Sequence, residues 1–320
     1  MILVVTPNPA VDVTYRVAEQ RIGETQRVLE VTRRPGGKGL NVGRVLAGAG
    51  FATHAVLPLG GTSGRWVAGA LDELGLEHTD VPVTGETRTT VTVVDDLAHP
   101  TMYGEPGPVV TADEWETVTA VVDRLLSGSA CDALVVSGSL PRGTDPAVVA
   151  AWVTAARRRG VPSIVDCSGA ALLAAADAGA TVCKPNRSEL LEATGTDDER
   201  VGALRLLDRG AGVVVVSRGS DGIAAHTRAG VIEVPAVAGV IGNPTGAGDA
   251  ATAGLVIAML RAAATRSVPD VDEAALRSAA AYGAAAVLRP VAGEVDADDV
   301  QRFLQLDEPA SPDARTRSTA

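Results

Sequence analysis

Aromatic side chains are scarce: Trp, Tyr and Phe together make up 2% of the 320 residues. A pocket that recognises nucleosides by stacking has little to draw on. Basic residues are also outnumbered, 28 against 39 acidic ones, for a net charge of −11 and a pI near 4.9. Nucleic acid and anionic membrane surfaces both call for basic faces, so neither is an expected partner. Cysteine occurs three times, as Cys131, Cys167 and Cys183, an odd number with no zinc-type spacing. These read as reduced, mostly buried thiols of a cytosolic protein, which places the chain in the cytoplasm. His54, His78, His99 and His226 are equally scattered and read as structural or surface residues. The apolar run Ala250 to Leu260 is bounded by Asp249 and Arg261, far short of the roughly twenty residues of a membrane span. The start, Met1-Ile2-Leu3-Val4-Val5, lacks the basic and long apolar regions of a signal peptide.

Apolar residues make up 46% of the sequence, enough for a substantial core. Short Val- and Ile-rich runs at 2–6, 52–57, 133–137, 163–166, 181–183 and 213–217 predict strands. Ala-rich stretches at 40–49, 66–74, 112–127, 146–160, 198–209, 247–264 and 272–288 predict helices. That alternation predicts a parallel sheet covered by helices on both faces. Residues 11–34 and 87–104 break the rhythm and alternate as antiparallel strands do. There is no internal repeat, and 306–320 reads as a flexible tail after a domain spanning 1–305.

Two glycine clusters carry the chemistry. Gly242-Asn243-Pro244-Thr245-Gly246-Ala247-Gly248-Asp249 ends a loop and opens an apolar helix. First-turn amides have no intrahelical partner, and the helix dipole adds about half a positive charge, so an anion is favoured there. Gly246, Ala247 and Gly248 keep side chains away, and a transferring phosphoryl group could rest on bare amides. A carboxylate among those amides opposes anion binding unless it does other work, such as accepting a hydroxyl proton; Asp249 is the candidate base. The same residues would also serve a plain loop-to-helix turn with Asp249 near its cap. The second cluster, Pro35-Gly36-Gly37-Lys38-Gly39-Leu40-Asn41-Val42-Gly43, also runs into a helix. Lys38 offers a cation and Asn41 a two-way amide, a mixture suited to polyhydroxylated or phosphorylated ligands. Neither cluster is a Walker loop or a dinucleotide fingerprint.

In that order, the two clusters resemble the N- and C-terminal motifs of the PfkB (ribokinase-like) carbohydrate kinases. Between them stand Ser137-Gly138-Ser139-Leu140-Pro141, Lys184-Pro185-Asn186-Arg187-Ser188-Glu189-Leu190 and Ser217-Arg218-Gly219-Ser220-Asp221-Gly222, also in the family's order. The resemblance covers residues 1 to about 300. It implies a ribokinase-like three-layer α/β/α fold with a mostly parallel central sheet, and it makes 11–34 and 87–104 a small β-sheet lid over the sugar. A lid excludes water that would otherwise take the phosphoryl group. It could also pair with the lid of a second copy, and the sequence leaves the oligomeric state open.

Thr6-Pro7-Asn8-Pro9-Ala10-Val11-Asp12 and Thr87-Arg88 are similar to the phosphosugar branch, the 1-phosphofructokinases and tagatose-6-phosphate kinases. By resemblance Asp12, Gly37 and Asn41 hold sugar hydroxyls, while Lys38, Arg88 and Ser137 gather round the phosphate already present. ATP is the implied cofactor. Lys184, Asn186, Glu189, Ser217, Gly219 and Gly222 form its side of the site, with Asn186 and Glu189 assigned to Mg2+ through water. Pro185 and the acidic first turn would equally suit an ordinary helix start. Asp166, at the end of a predicted strand, is a further candidate for the metal side. The chain departs from the family pattern at Asn243-Pro244-Thr245, where a hydroxyl is usual in the middle. Thr90 replaces a common Asn, and Arg218 replaces an apolar residue, which bears on nucleotide preference. The implied reaction is ATP-dependent phosphorylation of a phosphorylated ketohexose, with fructose 1-phosphate to fructose 1,6-bisphosphate as the first choice. Kinases of tagatose 6-phosphate, free fructose or a nucleoside are the enzymatic rivals. A noncatalytic sugar-phosphate sensor is the rival from another class.

Overall fold

A computed structural model describes residues 1–95, 100–128, 131–263 and 271–306. The expected tail, from 307 on, and His99 lie outside the described residues. In chain order the strands are β1 (Ile2–Val5), β2 (Ala10–Arg16), β3 (Glu30–Gly36), β4 (Thr53–Leu59), β5 (His78–Pro82), β6 (Arg88–Val94), β7 (Thr101–Gly104), β8 (Ala133–Ser137), β9 (Ser163–Asp166), β10 (Val182–Cys183), β11 (Val213–Ser217), β12 (Ile223–His226) and β13 (Val231–Val234). The helices are α1 (Lys38–Gly48), α2 (Gly61–Glu73), α3 (Ala112–Leu126), α4 (Ala147–Arg158), α5 (Gly169–Asp177), α6 (Arg187–Thr194), α7 (Glu199–Arg209), α8 (Ala247–Ala263), α9 (Glu273–Val287) and α10 (Ala297–Leu306).

The main sheet runs β13-β12-β11-β10-β9-β8-β1-β4-β5. It is parallel from β5 to β11, and β12 and β13 close one edge antiparallel. Every residue of β1 is buried because both faces of the sheet are covered. Leu3 and Val5 join a core with α3, α4, α5 and α7, through side chains such as Trp115, Trp152, Leu172 and Leu206. Ile2 and Val4 face the opposite core, built from α1, α8, α9 and α10 through Leu46, Val256, Leu276 and Phe303. The fold is thus the three-layer α/β/α arrangement with a mostly parallel central sheet. No helix among the described residues is long and apolar enough to cross a membrane.

A second sheet, β3-β2-β6-β7, is built from the two segments expected to form the lid. Val11 and Val13 of β2 pack with Leu40, Val67 and Leu71, which fixes this sheet against α1 and α2. The expected antiparallel pairing holds for β2 with β3 and for β6 with β7, but β2 and β6 run parallel. The reason is topological: β4, α2 and β5 intervene, so the chain re-enters the lid from the same end. The register sets Asp12 opposite both Arg34 and Thr90.

The chain leaves β1 toward β4 on one side and returns as β8 on the other. Open α/β sheets bind ligands outside the carboxyl ends of strands at such a reversal. Thr6, Ser137 and Asp166 stand at those ends of β1, β8 and β9.

Candidate active site

Gly246 has φ 82, and a Cβ built on it would come within 2.6 Å of Ala292 Cβ. Only glycine makes this turn into α8. A Cβ on Gly248 would meet nothing within 4 Å, so the space above the first turn of α8 is open. Ala250 N makes the first ordinary helical bond, to Gly246 O at 2.9 Å. The expectation of bare amides at Gly246, Ala247 and Gly248 needs one correction: Ala247 N–H is spent on Pro244 O at 3.1 Å, closing the turn. The N–H groups of Gly246, Gly248 and Asp249 find no acceptor among the described residues. Asn243 anchors the loop, donating to Pro290 O at 3.0 Å and accepting from Thr245 N at 3.0 Å.

Asp249 is 6% exposed, and its Oδ2 accepts from Asn41 Nδ2 at 2.8 Å. The two glycine clusters therefore meet at this hydrogen bond. Burial, with the nearby Asp166 charge second, pushes the Asp249 carboxyl up to about 7; Lys38, Asn41 and Lys184 pull the other way. A carboxylate tuned near neutrality suits proton acceptance at working pH.

Three residues beyond Asp249, Thr252 Oγ1 donates to Asp166 Oδ2 at 2.8 Å and ties α8 to β9. Lys184 Nζ lies 3.1 Å from Asp166 Oδ2, and Lys38 Nζ lies 3.5 Å from Asp166 Oδ1. Burial raises the Asp166 pKa, but Lys184, Lys38 and the Thr252 hydrogen bond outweigh it and hold the group below the ordinary carboxylate value. Lys38 also reaches Glu189 Oε1 at 3.3 Å and is held firmly protonated, chiefly by Asp166. Its ionic partners are thus the carboxylates at the end of β9 and in the first turn of α6. Lys184 is 2% exposed and enclosed by its pairing, so it supports Asp166 from beneath.

The residues expected to hold the sugar stand on the small sheet and α1. Asp12 lies against the glycine turn: a Cβ on Gly36 would overlap its Oδ2 at 2.0 Å. Burial raises the Asp12 carboxyl to about 6, opposed by a Gly37 backbone hydrogen bond, by Arg88 and Arg44, and by the Thr90 hydroxyl. Arg88 is spent on carbonyls, with Nε 3.2 Å from Asn8 O and Nη1 3.0 Å from Glu105 O. No carboxylate among the described residues pairs with it, so its charge remains available to an anion. Ser137, expected beside the phosphate, is 0% exposed, and its hydroxyl, like that of Thr6, has no partner among the described residues. The cause is close packing, since α1 passes so near that a Cβ on Gly39 would fall 2.3 Å from Thr6 Oγ1 and 3.1 Å from Ser137 O.

On the nucleotide side a bridge between Asn186 and Ser217 brings the Lys184-to-Glu189 and Ser217-to-Gly222 segments together. Asn186 is the N-cap of α6 and forms a capping box with Glu189, at 2.9 Å in each direction. The helix begins at Arg187, one residue past the cap and not at Pro185. Gly219 and Gly222 have φ 60 and 95, which shapes the loop after β11. Arg218 does not reach toward a nucleotide. Its Nε lies 3.0 Å from both oxygens of Glu199, and Nη1 lies 2.8 Å from Glu233. Glu199 also bonds Arg187 and His226, at 2.9 and 2.8 Å. Desolvation alone would raise it, yet these partners depress its carboxyl to about 2. Sequence reasoning missed this hub, and it missed Thr252, because its members are separated in the chain and carry no local motif.

No group of three or more His, Cys, Asp and Glu among the described residues could cage a metal. Such a donor set would suit a magnesium ion held mainly by nucleotide oxygens and water. The side chains of Asn186 and Glu189 already serve the cap, and Glu189 Oε1 is shared with Lys38.

Residues 6–298 match the pfkB family of carbohydrate kinases. The chain belongs to that family. It is a sugar kinase, a phosphotransferase with an alcohol acceptor, and kinases of this family use ATP. The structure of phosphofructokinase-2 from Escherichia coli with potassium matches with a TM-score of 0.85 at 27% identity, covering 95% of this chain and 98% of that one. The same enzyme with fructose-6-phosphate matches at 0.83. A protein described as a "possible 1-phosphofructokinase" from Thermotoga maritima matches at 0.80 and 26% identity, over 95% and 97% of the two chains. Arabidopsis thaliana ribokinase with ribose and ATP, at 0.71 and 23% identity over 95% and 98%, shares the fold.

Proposed function

We propose that this pfkB-family kinase transfers the γ-phosphoryl group of ATP to the C6 hydroxyl of fructose 1-phosphate, giving fructose 1,6-bisphosphate. The observation that carries this reading is the Asn41–Asp249 hydrogen bond, which joins a sugar-binding turn to a base at an anion-accepting helix start. Asp12, the Gly37 backbone and Asn41 orient the hydroxyls. Arg88, whose guanidinium is in salt-bridge contact with no carboxylate among the described residues, takes the existing phosphate as a charge-assisted fork. Asp249 accepts the C6 proton as the oxygen attacks phosphorus. The amides of Gly246, Gly248 and Asp249 receive the charge spread over the transferring group, and Lys38 adds a cation beside them. Ser217, Gly219 and Gly222 hold the nucleotide. Asn186 and Glu189 would hold Mg2+ through water, and the ion would supply charge neutralisation for the nucleotide's phosphates. The preference for a phosphorylated sugar rests on Arg88 together with the Thr6-to-Asp12 motif.

A coupled ADP-release assay across fructose 1-phosphate, fructose 6-phosphate, tagatose 6-phosphate and free fructose tests the reading. Fructose 1-phosphate should be used with the highest kcat/KM. A clear preference for another phosphosugar replaces the substrate, and absence of turnover with every sugar leaves the sensor.

We further propose that the protein works in the cytoplasm, in keeping with its three free thiols, and that two copies pair through their lids. Val31 on β3 and Met102 and Tyr103 on β7, the two edge strands of the lid, are 51%, 62% and 63% exposed, apolar surface that a second lid would cover. Sedimentation of the wild type against Tyr103→Lys tests the pairing.

A further inference from the structure

The lid and the α8 turn meet at one carboxylate. Glu294 lies between α9 and α10, and its Oε1 receives Arg34 of the lid strand β3 as well as Nη2 of Arg44, from α1, at 3.2 Å. Arg44 Nη1 also donates to Ala292 O at 3.3 Å. Ala292 is the residue that a side chain at position 246 would strike, so residues 292–294 back the turn into α8. Gly293, with φ 76, packs on Asn41: a Cβ there would lie 3.0 Å from Asn41 Oδ1. The nitrogen of that same amide holds Asp249. One short shelf therefore touches the lid, α1, the anion turn and the amide that orients the base.

The charges give this contact its logic. Arg44 is 9% exposed, and Glu294 is its one carboxylate partner among the described residues. Burial is the main force lowering the Arg44 pKa, with the charge of Arg34 second, while Glu294 and Asp12 oppose both. Two guanidinium groups repel unless a carboxylate stands between them, so Arg34 stays docked only through Glu294. Arg34 is also the register partner of Asp12, so the strand that carries it lies directly beside the sugar contact. As an ion pair about one-third exposed on each side, Arg34–Glu294 adds little stability. Its worth lies in placement.

We propose that Glu294 is a positioning residue that latches the lid, through Arg34, to the shelf behind Gly246 and Asn41, so that seating the lid over the sugar sets the transfer turn. The proposal rests on the sugar-kinase reading above. A displacement of about 1 Å in such a site can cost on the order of a hundredfold in rate, so a lost latch acts on kcat more than on binding.

The test compares wild type, Arg34→Met, Glu294→Gln and the double variant by steady-state kinetics, with hydrogen exchange of 289–296 measured with and without fructose 1-phosphate. Each single change should lower kcat about tenfold while both KM values stay within about twofold, and the double should lose no more than the worse single, because both cut one link. The phosphosugar should slow exchange of 289–296 in the wild type and not in Arg34→Met. Multiplying losses in the double, or a raised phosphosugar KM with unchanged kcat, would overturn the latch; the latter makes Arg34 a plain phosphate ligand. Should Glu294→Gln fail to fold because Arg44 is stranded, Arg34→Met keeps the Arg44–Glu294 pair and carries the test alone. A wild type that phosphorylates no sugar phosphate sinks the functional reading, whereas an active wild type with uncoupled variants sinks only the latch.

Discussion

Asn41 Nδ2 and Asp249 Oδ2 stand 2.8 Å apart although 208 residues separate them in the chain. The bond fixes the carboxylate's orientation from the sugar side while the start of α8 fixes its position from the phosphoryl side. It also leaves Asn41 Oδ1 for other contacts, so one amide reports to both halves of the site.

Replacing Asp249 by Asn preserves that bond, because an amide oxygen still accepts from Asn41. Substrate affinities should therefore change little while kcat falls by about a hundredfold or more, the scale of a lost general base. Turnover of Asp249→Asn within a few fold of wild type removes the residue from its role.

The same carboxyl sets a pH limb. With a value of about 7, Asp249 is a competent base only above that pH, so kcat/KM should rise with unit slope up to about 7 and level off. Asp12, at about 6, steepens the limb below that point. A flat profile between pH 5 and 8 contradicts the assignment.

Stability should run the other way. A carboxyl raised from 3.8 to about 7 means that the native state binds more protons than the unfolded chain across that window, so stability declines as pH rises through it. Asp249→Asn escapes this cost. Its Tm at pH 8 should exceed that of wild type by roughly 2–6 °C, with the gap closing toward about pH 4. Equal melting curves at pH 8 would argue that the carboxyl is not strained by burial.

Arg88→Ala should raise KM for the phosphosugar by about ten- to a hundredfold, the worth of a charge-assisted fork, with kcat much less affected. Free fructose has no phosphate to lose. If its KM moves as much, Arg88 serves the lid and not the phosphate.

Arg218→Leu places an apolar residue next to the nucleotide loop but takes from Glu199 its bidentate partner, leaving it Arg187 and His226. The expected result is a loss of about 2 kcal/mol in denaturant unfolding with the ATP-to-GTP preference unchanged. A switch in donor preference would put the guanidinium back at the nucleotide.

Much of the site was legible because its chemistry is local. Gly246, Gly248 and Asp249 are near neighbours, and the physics of a helix start needs nothing beyond them. The Val-rich strands around β1, β8 and β11 were legible because burial on both faces demands continuous apolar runs. β12 and the edge strand β13 are four residues each, too short to display a period. Lys38 was assigned to the sugar phosphate by resemblance, and its flexible ammonium lies against Asp166 at the end of β9 and Glu189 in the first turn of α6, both far from it in the chain. Arg218 misled for the same reason: its position suggested a ligand, and its actual partner, Glu199, lies 19 residues upstream. Charged side chains choose partners in space, and the sequence states their reach without stating their direction.

The central place of β1 has a consequence for biosynthesis. Its first neighbour, β4, leaves the ribosome some fifty residues later, but β8, which covers the other edge, follows only after residue 133. Through that interval the nascent chain carries an apolar ribbon with one side unclaimed, so slow translation or heat during synthesis should favour aggregation of incomplete chains over misfolding of finished ones.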